Sequence, residues 1–150
     1  MDTITEERPL TTTQLFSALT QAWNAHDVIG ISALLHPAAT YISPSTPEPL
    51  KGDSILAFLQ SLLGGMPDSK VETVTEEVVN STLHVSQLVA SGTWTKPFTA
   101  GPLIGIPPTG RATRIACACF IEVRDGKIFT WTQYFDRMAL LSQLGIIKTP

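Results

Sequence analysis

Residues 112–135 read ATRIACACFIEVRDGKIFTWTQYF, and the reading of this stretch decides the fold. Asp125-Gly126 divides it into two runs rich in β-branched and aromatic residues, and both turn residues tolerate the positive φ of a two-residue hairpin. The pattern predicts antiparallel strands over 112–124 and 127–135. Successive strand side chains point to opposite faces, so Phe129, Trp131, Gln133 and Phe135 form one set, and Thr130, Thr132 and Tyr134 the other. The same alternation separates Ile115, Cys117 and Cys119 from Arg114, Ala116 and Ala118. The apolar sets are expected to line the inside of a folded sheet.

Outward from this hairpin, β-branched residues and two-residue alternation predict two further strands, near 70–79 and 83–95. Parity puts Ser91 and Thr93 on the inner wall and Trp94 outside it. Pro97, Gly101, Pro102, Gly105, Pro107, Pro108 and Gly110 interrupt an apolar stretch and predict an ordered loop at the mouth of a cavity. The first half is helical. Apolar residues at Leu15, Phe16, Leu19, Ala22 and Trp23 repeat with helical period over about 12–25, behind the caps offered by Thr11 to Thr13. Asp27 is expected to cap a second helix ended by His36-Pro37, and Asp53 or Ser54 a third one carrying Ile55, Phe58, Leu59, Leu62 and Leu63. Ala39 to Ser43 has strand character, and Pro44, Pro47 and Pro49 make the next segment a loop. Asp136 caps a last short helix that Gly145 stops. Helices first and a meander second predict an α+β fold, a cone-shaped barrel whose strongly curved antiparallel sheet packs on three N-terminal helices.

The chain has 150 residues, a net charge of −3, 43% hydrophobic and 15% charged residues, which suits one domain over 12–150 after a flexible N-terminus at 1–11. Scattered basic residues form no stripe for phosphates, so nucleic acid is not an expected partner. No leader-like h-region and no run of about 18 uncharged apolar residues is present, so a cytoplasmic protein without membrane contact is expected. Cys117 and Cys119 lie too close in one strand to bridge. No His, Cys, Asp or Glu spacing suggests a metal, and no phosphate loop suggests a nucleotide; no cofactor is expected.

Trp23-Asn24-Ala25-His26-Asp27, His36-Pro37, Pro107-Pro108-Thr109-Gly110-Arg111, Asp125-Gly126-Lys127-Ile128, Tyr134-Phe135-Asp136 and Gln143-Leu144-Gly145 follow one another in an order that resembles SnoaL-like polyketide cyclases. These belong to the nuclear-transport-factor-2-like superfamily, with ketosteroid isomerase and limonene epoxide hydrolase. The likeness spans about residues 12–146 and implies the cone fold, a small-molecule substrate and a homodimer paired through the outer sheet face at Arg114, Ala116, Ala118, Thr130, Thr132 and Tyr134. It does not bring the usual chemistry. Anchored on the Asp125-Gly126 hairpin, the cyclases' acid/base aspartate falls at Gln133 and their assisting histidine at Cys119. The epoxide hydrolases' arginine and aspartate fall near Ser91 and Thr93. Ketosteroid isomerase's base falls at Ser43, its tyrosine at Leu19 and its protonated aspartate at Ala118. Tyr41 matches the tyrosine of the epoxide hydrolases.

Gln133, Tyr41 and Asp136 are therefore the catalytic candidates. Ser43, Ser91, Thr93, Ile115, Cys117, Cys119, Phe129, Trp131 and Phe135 are candidates for binding an apolar substrate. Each has a structural alternative: Gln133 a core amide, Tyr41 a packing aromatic, Asp136 a helix cap, and both cysteines small hydrophobes. His26 and His36 read as structural, and His84 as a surface residue. The function expected is cyclisation, isomerisation or epoxide opening in natural-product metabolism; the rivals are a non-catalytic ligand-binding or assembly protein and a protein-interaction module.

Overall fold

The computed structural model describes residues 8–148, so most of the expected flexible N-terminus lies outside the described residues. Thr11 is already part of the fold. It starts helix α1 (Thr12–Asn24) with a capping box, its hydroxyl accepting from Gln14 N–H while the Gln14 side chain accepts from Thr11 N–H. The helical repeat then buries Leu15, Phe16, Leu19 and Trp23. Burial of each such side chain contributes roughly 1.5–3 kcal/mol, so this face holds the helix on the sheet.

Helix α2 (Val28–Leu34) follows at once, capped by the Asp27 carboxylate on Gly30 N–H. The sequence expectation extended this helix to His36-Pro37. Instead the chain leaves it at Leu34, and both residues lie in strand β1 (Leu35–Ile42), at an irregularity in pairing where proline's missing donor does no harm. A two-residue strand, β2 (Leu50–Lys51), was not foreseen. Helix α3 (Asp53–Gly65) is preceded by Gly52 at φ 56, with no side-chain cap. Asp53 is its first residue, and the Ser54 hydroxyl is engaged with the Lys51 backbone.

Strands β3 (Lys70–Val78), β4 (Leu83–Thr93), β5 (Ala112–Arg124) and β6 (Lys127–Tyr134) precede helix α4 (Arg137–Gln143). Spatial order is β2-β1-β6-β5-β4-β3. The sheet is antiparallel apart from the β1–β6 pair, which is parallel. Among the described residues, four helices and this curved six-stranded sheet make an α+β cone.

Local motifs prove to be joints. Trp23 Nε1 donates to Ser69 Oγ, His26 Nε2 to the Ser69 carbonyl, and the Asn24 amide pairs with both backbone groups of Val71, tying α1 to the start of β3. At the other end, the Gln143 amide pairs with both backbone groups of Arg114, and Thr109 Oγ1 donates to the Leu144 carbonyl. Asp125 and Gly126 both have positive φ in the β5–β6 turn.

Register corrects several inner-face expectations. Leu88 pairs with Cys117, and Ala90 with Ile115, without a shift along β4 and β5. Paired residues share a face. Therefore His84, Ser86, Leu88, Ala90 and Gly92 form the inner row, whereas Ser91 pairs with the outward Arg114 and Thr93 with the exposed Ala112. Thr93 gives its N–H and hydroxyl to the Asp68 carboxylate at 2.7 Å each, which holds that carboxyl below its ordinary range. His84 is fully buried, stacked on Phe16 with centroids 4.5 Å apart and paired with Glu76 at 3.1 Å. Trp94 is also fully buried, beyond the strand end, stacked on Phe98.

A second correction lies in β6. Glu122 pairs with Thr130 but Val123 with Ile128, so a bulge skips Phe129. Ile128 takes the inward position at 0% exposure, and Phe129 stands outside against His36 with the Arg124 guanidinium 3.8 Å above its ring. The main core lies between α1, α3 and the sheet; a smaller cluster of Met66, Trp94, Phe98 and Leu144 closes the end beside α4.

Candidate functional site

Between the two clusters lies a cavity of about 130 Å³. Its back wall is made by inward residues of β4 and β5, namely Leu88, Ala90, Ile115 and Cys117, and its sides by Phe58 and Leu62 of α3. Phe98, Ala100, Pro102 and Leu103 cover it from the loop between β4 and β5, where the sequence placed a mouth. From α4 come Arg137, Leu140 and Leu141, followed by Leu144. That face was missed in the sequence, although the 137, 140, 141, 144 spacing is helical and a signal was present.

Tyr41 sits at the bottom, 2% exposed, between Phe58 and Trp131 at centroid distances of 5.6 and 4.8 Å. Burial drives its phenol well above the ordinary value, and the neighbouring Ser43 hydroxyl offsets only part of this. The group remains a neutral hydrogen-bond donor under physiological conditions. Ser43 also lines the cavity and accepts from Ser45 N–H at 3.1 Å. Ser61, another lining hydroxyl, donates to the Ala100 carbonyl and accepts from Thr99 and Ala100 N–H, which consumes its capacity in holding the loop.

Gln133 is half-buried opposite Cys119 and lines both this cavity and a second one of about 20 Å³. No group among the described residues hydrogen-bonds its amide. Phe135 lines the main cavity as well. Trp131 and Cys119 border only the smaller one and belong to the core. Burial pushes the Cys117 thiol up to about 11 and the Cys119 thiol up to about 12, the latter partly offset by Trp131 and Ser86. Neither is a thiolate at neutral pH.

Asp136 does not line the cavity. Its carboxylate accepts from Ala139 N–H at 3.0 Å as the cap of α4. Of the three catalytic candidates, the fold thus brings together Tyr41 and Gln133. Of the binding candidates it gathers Ser43, Ile115, Cys117 and Phe135 on the cavity wall, with Ser91 contributing beside the inner row. Thr93 and Phe129 are elsewhere. Neither a carboxylate nor an imidazole is among the described lining residues, and Arg137 is the one charged side chain there. No group of three or more His, Cys, Asp or Glu among the described residues could hold a metal ion. No described helix is long and apolar enough to cross a membrane.

Solved structures share this architecture. A candidate SnoaL-like polyketide cyclase from Jannaschia sp. CCS1 superposes with a TM-score of 0.77 at 19% identity, covering 97% of this chain and 99% of its own. IdmH, a candidate polyketide cyclase from Streptomyces antibioticus, gives 0.71 at 26% identity over 93% and 99% of the two chains. A Catenulispora acidiphila protein with a ketosteroid isomerase-like fold gives 0.71 at 16% identity over 93% and 100%. No curated protein matches by sequence. The model of one family, described as SnoaL-like polyketide cyclase, matches residues 13–144, nearly the whole described cone, and the chain belongs to that family.

Proposed function

We propose that this protein is a cofactor-independent enzyme of natural-product metabolism that takes a largely apolar small molecule and promotes its cyclisation, isomerisation or epoxide opening. One observation carries the reading: the cavity is apolar, and the polar groups facing it at the bottom and side, Tyr41 and Gln133, are neutral. An aspartate-driven proton transfer has no group to perform it among the described lining residues. Orientation does not need one. Holding a flexible chain with its reacting atoms close removes part of the entropic barrier, while the Tyr41 hydroxyl and the Gln133 amide polarise a carbonyl or epoxide oxygen.

The same apolar cavity also suits a binding protein that kept the cone without turnover. Native mass spectrometry of the purified protein, followed by incubation with the extracted ligand, separates the two. Product formation with weak product retention supports the enzyme; an unchanged, tightly held ligand supports the binding protein and overturns catalysis. We further propose a cytoplasmic homodimer, paired through the outer face of the sheet.

A further inference from the structure

Arg137 stands where the small-molecule reading needs a polar end. It lines the cavity yet is exposed, so it occupies the rim. Its neighbour Asp136 is turned into the α4 cap, and no carboxylate among the described residues forms an ion pair with it. Among the described residues no Asp or Glu lines the cavity, so the charge of the described lining is positive. Leu140, Leu141 and Leu144 continue from Arg137 down the same face of α4 into the apolar interior. A ligand complementary to this surface has an apolar body and one anionic end.

Resting on the small-molecule reading above, we infer that the substrate carries a carboxylate, held by the Arg137 guanidinium at the mouth while the apolar part lies against Phe58, Leu88 and Ile115. Arg137 then sets substrate direction. A guanidinium offers paired N–H donors to a carboxylate, so it selects the acid over a neutral amide of the same shape. With the anion anchored at the rim, the opposite end of the molecule is delivered toward Tyr41, and Gln133 meets a polar atom between them. Arg137 is thus a specificity and positioning residue, and the reacting atoms lie deeper.

The probes are 1-naphthylacetate and its isosteric amide, 1-naphthylacetamide, titrated into the full chain by calorimetry at low salt. The acid is expected to bind about tenfold more tightly, the scale of one charge-assisted pair that is partly shielded from water. Arg137→Gln should bring the two affinities together, leaving the amide's unchanged, and Arg137→Lys should restore part of the preference. Equal affinities in the wild type, or an acid preference that survives Arg137→Gln, would overturn the inference while leaving the small-molecule reading intact. Binding of neither probe by the wild type would count against both. Arg137 is exposed, so equal thermal midpoints of the variants are expected and confirm that binding alone has changed.

Discussion

Gln133 occupies a position where a charged group would have announced its own role, and its neutrality shapes the test. An amide both donates and accepts, so its loss leaves a ligand atom unpaired in a shielded place. Gln133→Leu is expected to weaken binding or turnover by about 1–3 kcal/mol at an unchanged thermal midpoint. Gln133→Glu should not raise activity, because an acceptor-only carboxylate replaces a donor. Wild-type behaviour of Gln133→Leu would remove it from the site. The buried thiols give a second residue-scale expectation. Burial pushes the Cys117 thiol up to about 11 and the Cys119 thiol up to about 12, above the 9.0 of a solvated thiol. Folded values above unfolded ones mean that the native state keeps protons the unfolded chain releases. Their contribution is fully present below pH 9 and is lost as pH rises through 11 and 12. The thermal midpoint should fall across that window, and less steeply in a Cys117→Ala, Cys119→Ala double variant; identical slopes would contradict this.

At the scale of elements, the loop between β4 and β5 is anchored to the end of α3. Thr95 and Lys96 both donate to the Gly65 carbonyl, and Phe98 packs over Gly65 so closely that a Cβ there would meet its ring at 2.5 Å and the Lys96 carbonyl at 3.1 Å. Gly65→Ala should therefore displace Phe98, destabilise the protein by about 1–3 kcal/mol and speed hydrogen exchange over 95–110. Unaltered exchange would show that the loop is held elsewhere. Ligand binding should have the opposite effect, slowing exchange over 97–110, since Phe98, Ala100, Pro102 and Leu103 face the cavity. The β6 bulge belongs to this scale too. It reverses parity between Ile128 and Trp131, which is why simple alternation placed Trp131 and Gln133 correctly on the inner face and Phe129 wrongly.

For the whole molecule, the outer sheet face shows Ala116 and Tyr134 exposed, the latter 57%, beside Phe120. A homodimer is expected to cover it; sedimentation at micromolar concentration should report twice the chain mass, and Tyr134→Asp should shift it toward the monomer. A wild-type monomer would refute the pairing. Much of the cone was legible in the chain because its signals are local: the helical apolar repeat of α1, the Asp125-Gly126 turn, the Asp27 and Asp136 caps and the Pro/Gly punctuation of the loop each depend on neighbours a few residues away. The sequence by itself also determined the strand boundaries of β5 and β6 to within a residue and the lack of a carboxylate at Gln133. The tertiary structure alone decided which side of β4 faces inward, because strand parity has no absolute origin until pairing with β5 supplies one, and a slip of one residue exchanges Ser91 and Thr93 for Ala90 and Gly92. It alone buried His84 and drew Arg137 to the rim, since burial and charge environment arise from elements distant in the chain that meet only when the sheet closes over its helices.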